Sequence, residues 1–192
     1  MRLTRVLSAV AALAALACGG SPSGPSPSSG TLNVRLTDSP YGSAKAVLVT
    51  FSEVSVQHDD NGWTALPFAD TSASTRTCDL KKLQNSAQDI LGTGPLEPGS
   101  YTMLRLVVRS AKIYFDNAAV SSTPCATSIP EPAGDSVTLS IPSGEVKLNG
   151  VFTLTTGTAT TVLLDFDGES SIHETGNGNY VMNPVVRVIS VQ

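Results

Sequence analysis

The chain has 192 residues, 12 basic and 16 acidic, with a formal charge of −4, 5% aromatic side chains and three cysteines. No basic cluster with interleaved aromatics occurs, which argues against nucleic acid as a partner. No apolar run reaches the roughly 20 residues a bilayer-spanning helix needs, which argues against a transmembrane anchor.

Arg2 and Arg5 open the chain, and an apolar stretch from Val6 to Ala17, broken only by Ser8, runs into Cys18. The charge, the length and the small residue before the cut predict a secretory signal peptide over residues 1–17. With cysteine first after the cut, Ala15-Leu16-Ala17-Cys18 resembles the lipobox of bacterial lipoproteins. The resemblance implies a diacylglyceryl group on Cys18 and acylation of the new amino terminus, and two or three chains anchor firmly. The competing reading is an ordinary leader with an incidental Cys18, since leucine is favoured where Ala15 stands. Gly19 lacks the aspartate that retains some Gram-negative lipoproteins at the inner membrane, so delivery to the outer membrane is expected. Residues 18–30 are then the lipidated cysteine and a Gly/Ser/Pro tether with nothing to bury. Loss of Arg2 and Arg5 takes the charge from −4 to −6.

Residues 31–192 suit a single domain. Leu32, Val34 and Leu36 alternate with Asn33, Arg35 and Thr37, the pattern of a half-buried strand. Val47, Val49 and Phe51 share a face, as do Val54 and Val56. Asn61-Gly62 then predicts a type I′ hairpin. Leu80–Leu91 reads as weakly helical, one or two turns at most, and Gly92-Thr93-Gly94 as a turn. Pro98-Gly99 turns the chain into a strand at Tyr101, where the tyrosine is placed to anchor the turn. Leu104, Leu106 and Val108 continue the alternation, followed by Val137, Leu139 and Ile141. Asn149-Gly150 predicts a second type I′ hairpin. Val162, Leu164 and Phe166 alternate with Leu163, Asp165 and Asp167. Gly176-Asn177-Gly178-Asn179 turns into a final strand carrying Val186 and Val188. Many short strands at this spacing predict an all-β, antiparallel β-sandwich with at most one short helix.

Apart from Cys18, only Cys78 and Cys125 remain, and an exported chain makes a disulfide between them the default. It closes a loop worth about 4 kcal/mol in the chain-entropy model. Both cysteines read as lying in loops. A thiol nucleophile needs a base, and His58 and His173 are the only histidines.

Several segments resemble a bacterial and archaeal family known as domain of unknown function 4382. They are Gly30-Thr31-Leu32-Asn33-Val34-Arg35-Leu36-Thr37-Asp38-Ser39-Pro40, Asp79-Leu80-Lys81-Lys82-Leu83-Gln84-Asn85, Leu96-Glu97-Pro98-Gly99-Ser100-Tyr101, Leu163-Leu164-Asp165-Phe166-Asp167 and Asn183-Pro184-Val185-Val186-Arg187-Val188. Ser39 stands where alanine is expected, and Ser86 where glycine often follows the asparagine. The resemblance implies an exported, often lipid-anchored domain of immunoglobulin- or transthyretin-like form, and no activity.

Asp165 and Asp167, two apart on a strand, share a face. One reading is a Ca²⁺ site completed by Asp38, Glu169 or Asn183. The other is a charge ladder with Arg187, Arg105 and Arg35, each pair worth roughly 0.2–1 kcal/mol. Asp38 is expected to end its strand by bonding its own backbone. His58-Asp59-Asp60 and His173-Glu174 sit beside turns without a second histidine at zinc spacing. Trp63, Tyr41, Tyr101, Tyr114 and Tyr180 have faces that stack on sugars, but their scarcity favours packing for most of them. Trp63, past a hairpin tip, is the candidate for exposed contact. No nucleophile elbow, zincin motif or phosphate loop occurs. The expectation is a non-enzymatic envelope lipoprotein with a protein or polysaccharide partner. The alternatives are a Ca²⁺-binding adhesion-type domain or a hydrolase using Asp165 and Asp167.

Overall fold

The computed structural model describes residues 28–59 and 62–192. The leader, Cys18, most of the tether, Asp60 and Asn61 lie outside the described residues. In chain order the elements are β1 (Gly30–Ser39), β2 (Ala46–His58), β3 (Gly62–Ala65), β4 (Arg76–Asp79), a 3₁₀ turn (Leu80–Lys82), β5 (Asp89–Leu96) and β6 (Gly99–Tyr114). Then come β7 (Cys125–Ala126), β8 (Ser136–Thr138), β9 (Glu145–Leu154), β10 (Ala159–Asp167), α1 (Gly168–Ser171), β11 (Ile172–Gly176), β12 (Asn179–Met182) and β13 (Val186–Val191).

The strands form two sheets and a hairpin. One sheet runs β13-β10-β1-β5. The larger runs β7-β4-β2-β6-β8, with β3 on β2 and β9 on β6, while β11 and β12 pair with each other. Alternation decides which side chains meet between the sheets. Leu32, Val34 and Leu36 of β1 and Val162, Leu164 and Phe166 of β10 are buried in one cluster with Val47, Val49 and Phe51 of β2 and Leu104 and Leu106 of β6. Phe51 and Phe166, one from each sheet, meet edge to face at 6.2 Å between centroids. Burial of each such side chain contributes about 1.5–3 kcal/mol. The all-β sandwich expected from the pattern is the fold, but it is not wholly antiparallel. β1 and β10 are parallel, with Val34 beside Val162 and Leu36 beside Leu164. Both strands bury the same alternate face whichever way they run, so the pattern carries no sign of direction.

Local expectations fared unevenly. β2 and β3 form a hairpin where one was expected, but Gly62, at φ +75°, pairs with His58, so the connection is three residues rather than a two-residue type I′ turn. Tyr101 anchors its turn, its hydroxyl donating to the Glu97 carbonyl at 2.8 Å. Asn149-Gly150, by contrast, makes no hairpin. β9 runs straight through it along β6, from Leu148 beside Leu104 to Phe152 beside Tyr101, with a bulge opposite Thr102. Gly92-Thr93-Gly94 is the middle of β5 rather than a turn. A Cβ on Gly92 would sit 3.2 Å from the Pro67 carbonyl oxygen, and one on Gly94 3.0 Å from the Pro67 ring, so these glycines admit a neighbouring segment. The run Gly176-Asn177-Gly178 turns the chain through three positive φ angles, but into β12, with β13 following later.

The helix expected over Leu80–Leu91 shrinks to the 3₁₀ turn, and α1 stands where no helix was expected. Asp79 caps the 3₁₀ turn, accepting from Lys81 N–H at 3.2 Å. Asn85 and Ser86 then take φ of 57° and 67°, which no right-handed helix accommodates. Thr37 holds the segment on β1 by donating to the carbonyls of Leu83 and Ala87, both at 2.9 Å. A side chain in the left-handed region costs roughly 1–2 kcal/mol, partly offset by glycine's greater unfolded-state freedom. Ser86→Gly is therefore expected to raise the melting temperature by about 2–4 °C. A fall in calorimetric melting temperature would contradict it.

Candidate functional site

The parallel pairing of β1 and β10 places Thr37 beside Asp165, Asp38 beside Phe166 and Ser39 beside Asp167. Asp165 and Asp167 share the outer face, while Asp38, in phase with Leu36, turns inward and is only 6% exposed. Asp38 does not bond its own backbone. Gly168 N–H, from the start of α1, donates to its Oδ1 at 3.1 Å, and its Oδ2 is buried without a partner. Burial pushes the Asp38 carboxyl up to about 8, and the charges of Asp165 and Asp167 add to the rise. The Gly168 N–H and Lys81 oppose it.

Arg187, paired with Asp165 across β10 and β13, reaches both outer carboxylates, at 3.2 Å to Asp165 and 2.9 Å to Asp167. Its side chain is 61% exposed, so each contact is worth about 0–1 kcal/mol. Its larger effect is to neutralise two nearly buried like charges. Asp167 also caps α1 through Ser170 N–H at 2.8 Å, and Ser39 Oγ lies 3.4 Å from both Asp165 oxygens. The other suggested Ca²⁺ ligands are turned to different tasks. Glu169 accepts from Gly42 N–H at 2.9 Å, and Asn183 is held through its backbone by Ser171. Among the described residues, no three His, Cys, Asp or Glu side chains converge to hold a metal ion.

Trp63 is half-buried, with the Arg105 guanidinium 4.4 Å from its ring centroid. Arg105 is itself held by Ser55 Oγ at 3.0 Å and Glu53 at 2.5 Å, so one face of the indole is covered. His58 packs edge-on against Tyr101, which stacks on Phe152, whereas His173 and Glu174 are exposed on β11. The structure brings no histidine to the aspartates.

Cys78 and Cys125 form the expected disulfide, directly opposite each other on β4 and β7 rather than in loops. Beside it Arg76, nearly buried, reaches Asp89 at 3.4 Å and the Cys125 carbonyl at 3.3 Å. Asp89 in turn accepts from Cys125 N–H at 3.0 Å, so the bridge is tied to β5 of the other sheet.

The model of the family described as a domain of unknown function, DUF4382, matches residues 29–184. The chain belongs to the DUF4382 family. No curated protein and no solved structure matches it. Four of the family segments reach one end of this DUF4382 sandwich, the end of β1 with Asp38, the 3₁₀ turn, the end of β10 and the start of β13, whereas Leu96–Tyr101 turns the chain at the other end, beside Gly30. Polar side chains at the first end hold those elements together.

A second region of the DUF4382 domain went unread in the sequence. On the outer face of the larger sheet, Thr50 lies between Thr77 and Ser110, and in the next row Lys112 lies between Leu48 and Thr138. The chain between β6 and β8 crosses over this face and buries Ile129 in a small cluster with Leu48, Tyr114 and Ala119. The result is a groove of about 310 Å³. Glu131 on the covering segment pairs with Lys112 at 2.6 Å, and the Lys112 ammonium stands 5.2 Å from the Tyr114 ring centroid. Tyr114 is 1% exposed, and its hydroxyl is buried beside Lys112 and Glu131. Burial above all, and then the nearby Glu131 carboxylate, raise its ionisation above the ordinary phenol value. Tyr114 carried a sequence signal, but a row of polar alternates reads only as a wetted strand face. The crossing segment is what makes a groove of them.

Proposed function

We propose that this protein is a non-catalytic binding module of the cell envelope, anchored by lipid on Cys18 and presented on its Gly/Ser/Pro leash. The order of basic start, apolar run, Ala17, Cys18 and flexible linker supports the anchoring, and Gly19 supports delivery to the outer membrane. The observation that carries the binding role is the groove over the larger sheet. It is open, with polar groups over a more apolar lining, its covering segment is fastened by a disulfide, and its charges form a neutral pair. A hydrolytic role for Asp165 and Asp167 has less support, because both carboxylates are engaged by Arg187 and α1.

Two measurements test this reading. Mass spectrometry of the amino-terminal peptide is expected to find acyl chains on the Cys18 sulfur, and a bare thiol on a freely diffusing product overturns the anchor. Immobilised full-length protein is expected to retain an envelope component that the Ser110→Trp variant, with its groove filled, releases. Turnover of an envelope component with nothing retained overturns the non-catalytic role.

A further inference from the structure

We infer that the groove between the outer face of the larger sheet and the segment joining β6 to β8 is a saccharide site. The inference rests on the binding role proposed above and names its ligand class. The walls present the hydroxyls of Thr50, Ser110, Ser128 and Thr138, groups that both donate and accept, as sugar hydroxyls do. At one end Lys112 and Glu131, 2.6 Å apart, set a donor beside an acceptor. Such a pair suits two adjacent hydroxyls, whereas a phosphate or carboxylate would meet Glu131 and a cation would meet Lys112. Leu48 and Ile129 give an apolar floor for the C–H face of a sugar ring.

Tyr114 closes one end of the groove. Its hydroxyl is buried beside Lys112 and Glu131, and its interactions with both help hold that pair in place at the groove. The about 310 Å³ of space sits at the lower edge of the usual range for ligand sites, enough for one or two sugar rings. The covering segment is also held in advance of binding. Asp116 accepts from Asp135 N–H at 2.7 Å, Asn117 donates to the Ala133 carbonyl at 2.9 Å, and the disulfide pins Cys125. An ordered wall spares the ligand the cost of ordering it. A peptide adding a strand is disfavoured here. β2 and β6 are both hydrogen-bonded on two sides along this stretch, so they offer side chains and no free backbone edge.

Saturation-transfer NMR on the full-length chain, in a detergent without a sugar headgroup, tests the site. The probes are glucose, galactose, mannose, N-acetylglucosamine, maltose and cellobiose at millimolar concentration. At least one saccharide is expected to receive saturation, and Ser110→Trp is expected to abolish it. Lys112→Met, which removes the donor of the pair, is expected to weaken binding about tenfold, the loss of one hydrogen bond. Transfer to none of the saccharides overturns the inference, as does transfer unchanged in Ser110→Trp or binding unchanged in Lys112→Met. If an envelope protein is still captured by the parent and released by Ser110→Trp while no saccharide binds, the binding role stands and the saccharide assignment falls.

Discussion

Asp38→Asn is expected to stabilise the protein strongly above pH 7 and to change it little below about pH 4. In the fold the carboxyl is lifted from its ordinary 3.8 to about 8, chiefly by burial. Between those values the folded chain holds a proton that the unfolded chain has given up. Stability is therefore greatest below the unfolded value, falls as pH rises through the window, and levels off above about 8. A shift of that size corresponds to roughly 6 kcal/mol across the whole window. Asparagine is neutral throughout and keeps an oxygen to accept from Gly168 N–H. Asp79, whose carboxyl burial also raises, acts in the same direction but is present in both proteins. Urea unfolding at several pH values compares them directly. Curves for parent and variant that diverge as pH rises support the assignment, and parallel curves refute it.

Removing the disulfide is expected to cost about 4 kcal/mol, because it closes a span of 47 residues in the unfolded chain. For a chain of this size that lowers the melting temperature by roughly 10 °C. Cys78→Ala with Cys125→Ala is the suitable variant, since both side chains are buried and a small apolar residue replaces each. The Arg76–Asp89 contacts remain to hold β7 loosely, so the sandwich should still fold. Hydrogen exchange is expected to quicken in residues 115–135, which wall the groove, more than in β1 or β10. An unchanged melting temperature would refute the estimate.

Strand placement was largely legible because alternation is local: Leu32, Val34 and Leu36 declare their buried face without reference to a partner. What a strand pairs with is not local. Asn61-Gly62 and Asn149-Gly150 are the same dipeptide, yet Gly62 opens the second strand of a hairpin while Asn149-Gly150 runs on through a bulge along β6. Gly92 and Gly94 looked like punctuation and serve instead as space for Pro67. Asp38 looked like a turn former, but Gly168, 130 residues away, holds it inside. The Asp165 and Asp167 pairing with Arg187 was foreseeable from the phase of β10 and β13, whereas the capping of α1 was not. The groove residues were invisible as a group. The best sequence clue was the Cys78–Cys125 pairing itself, which must draw the segment after Tyr114 across the sheet.

The place of β1 also bears on how the molecule meets force. Tension arriving from the residues ahead of Gly30 enters the fold at one end of a central strand, flanked by β5 on one side and β10 on the other. The backbone bonds to both neighbours lie crosswise to such a pull. Under a pull along β1 they shear together rather than unzip singly, so the fold resists load best in the direction in which the proposed tether would apply it.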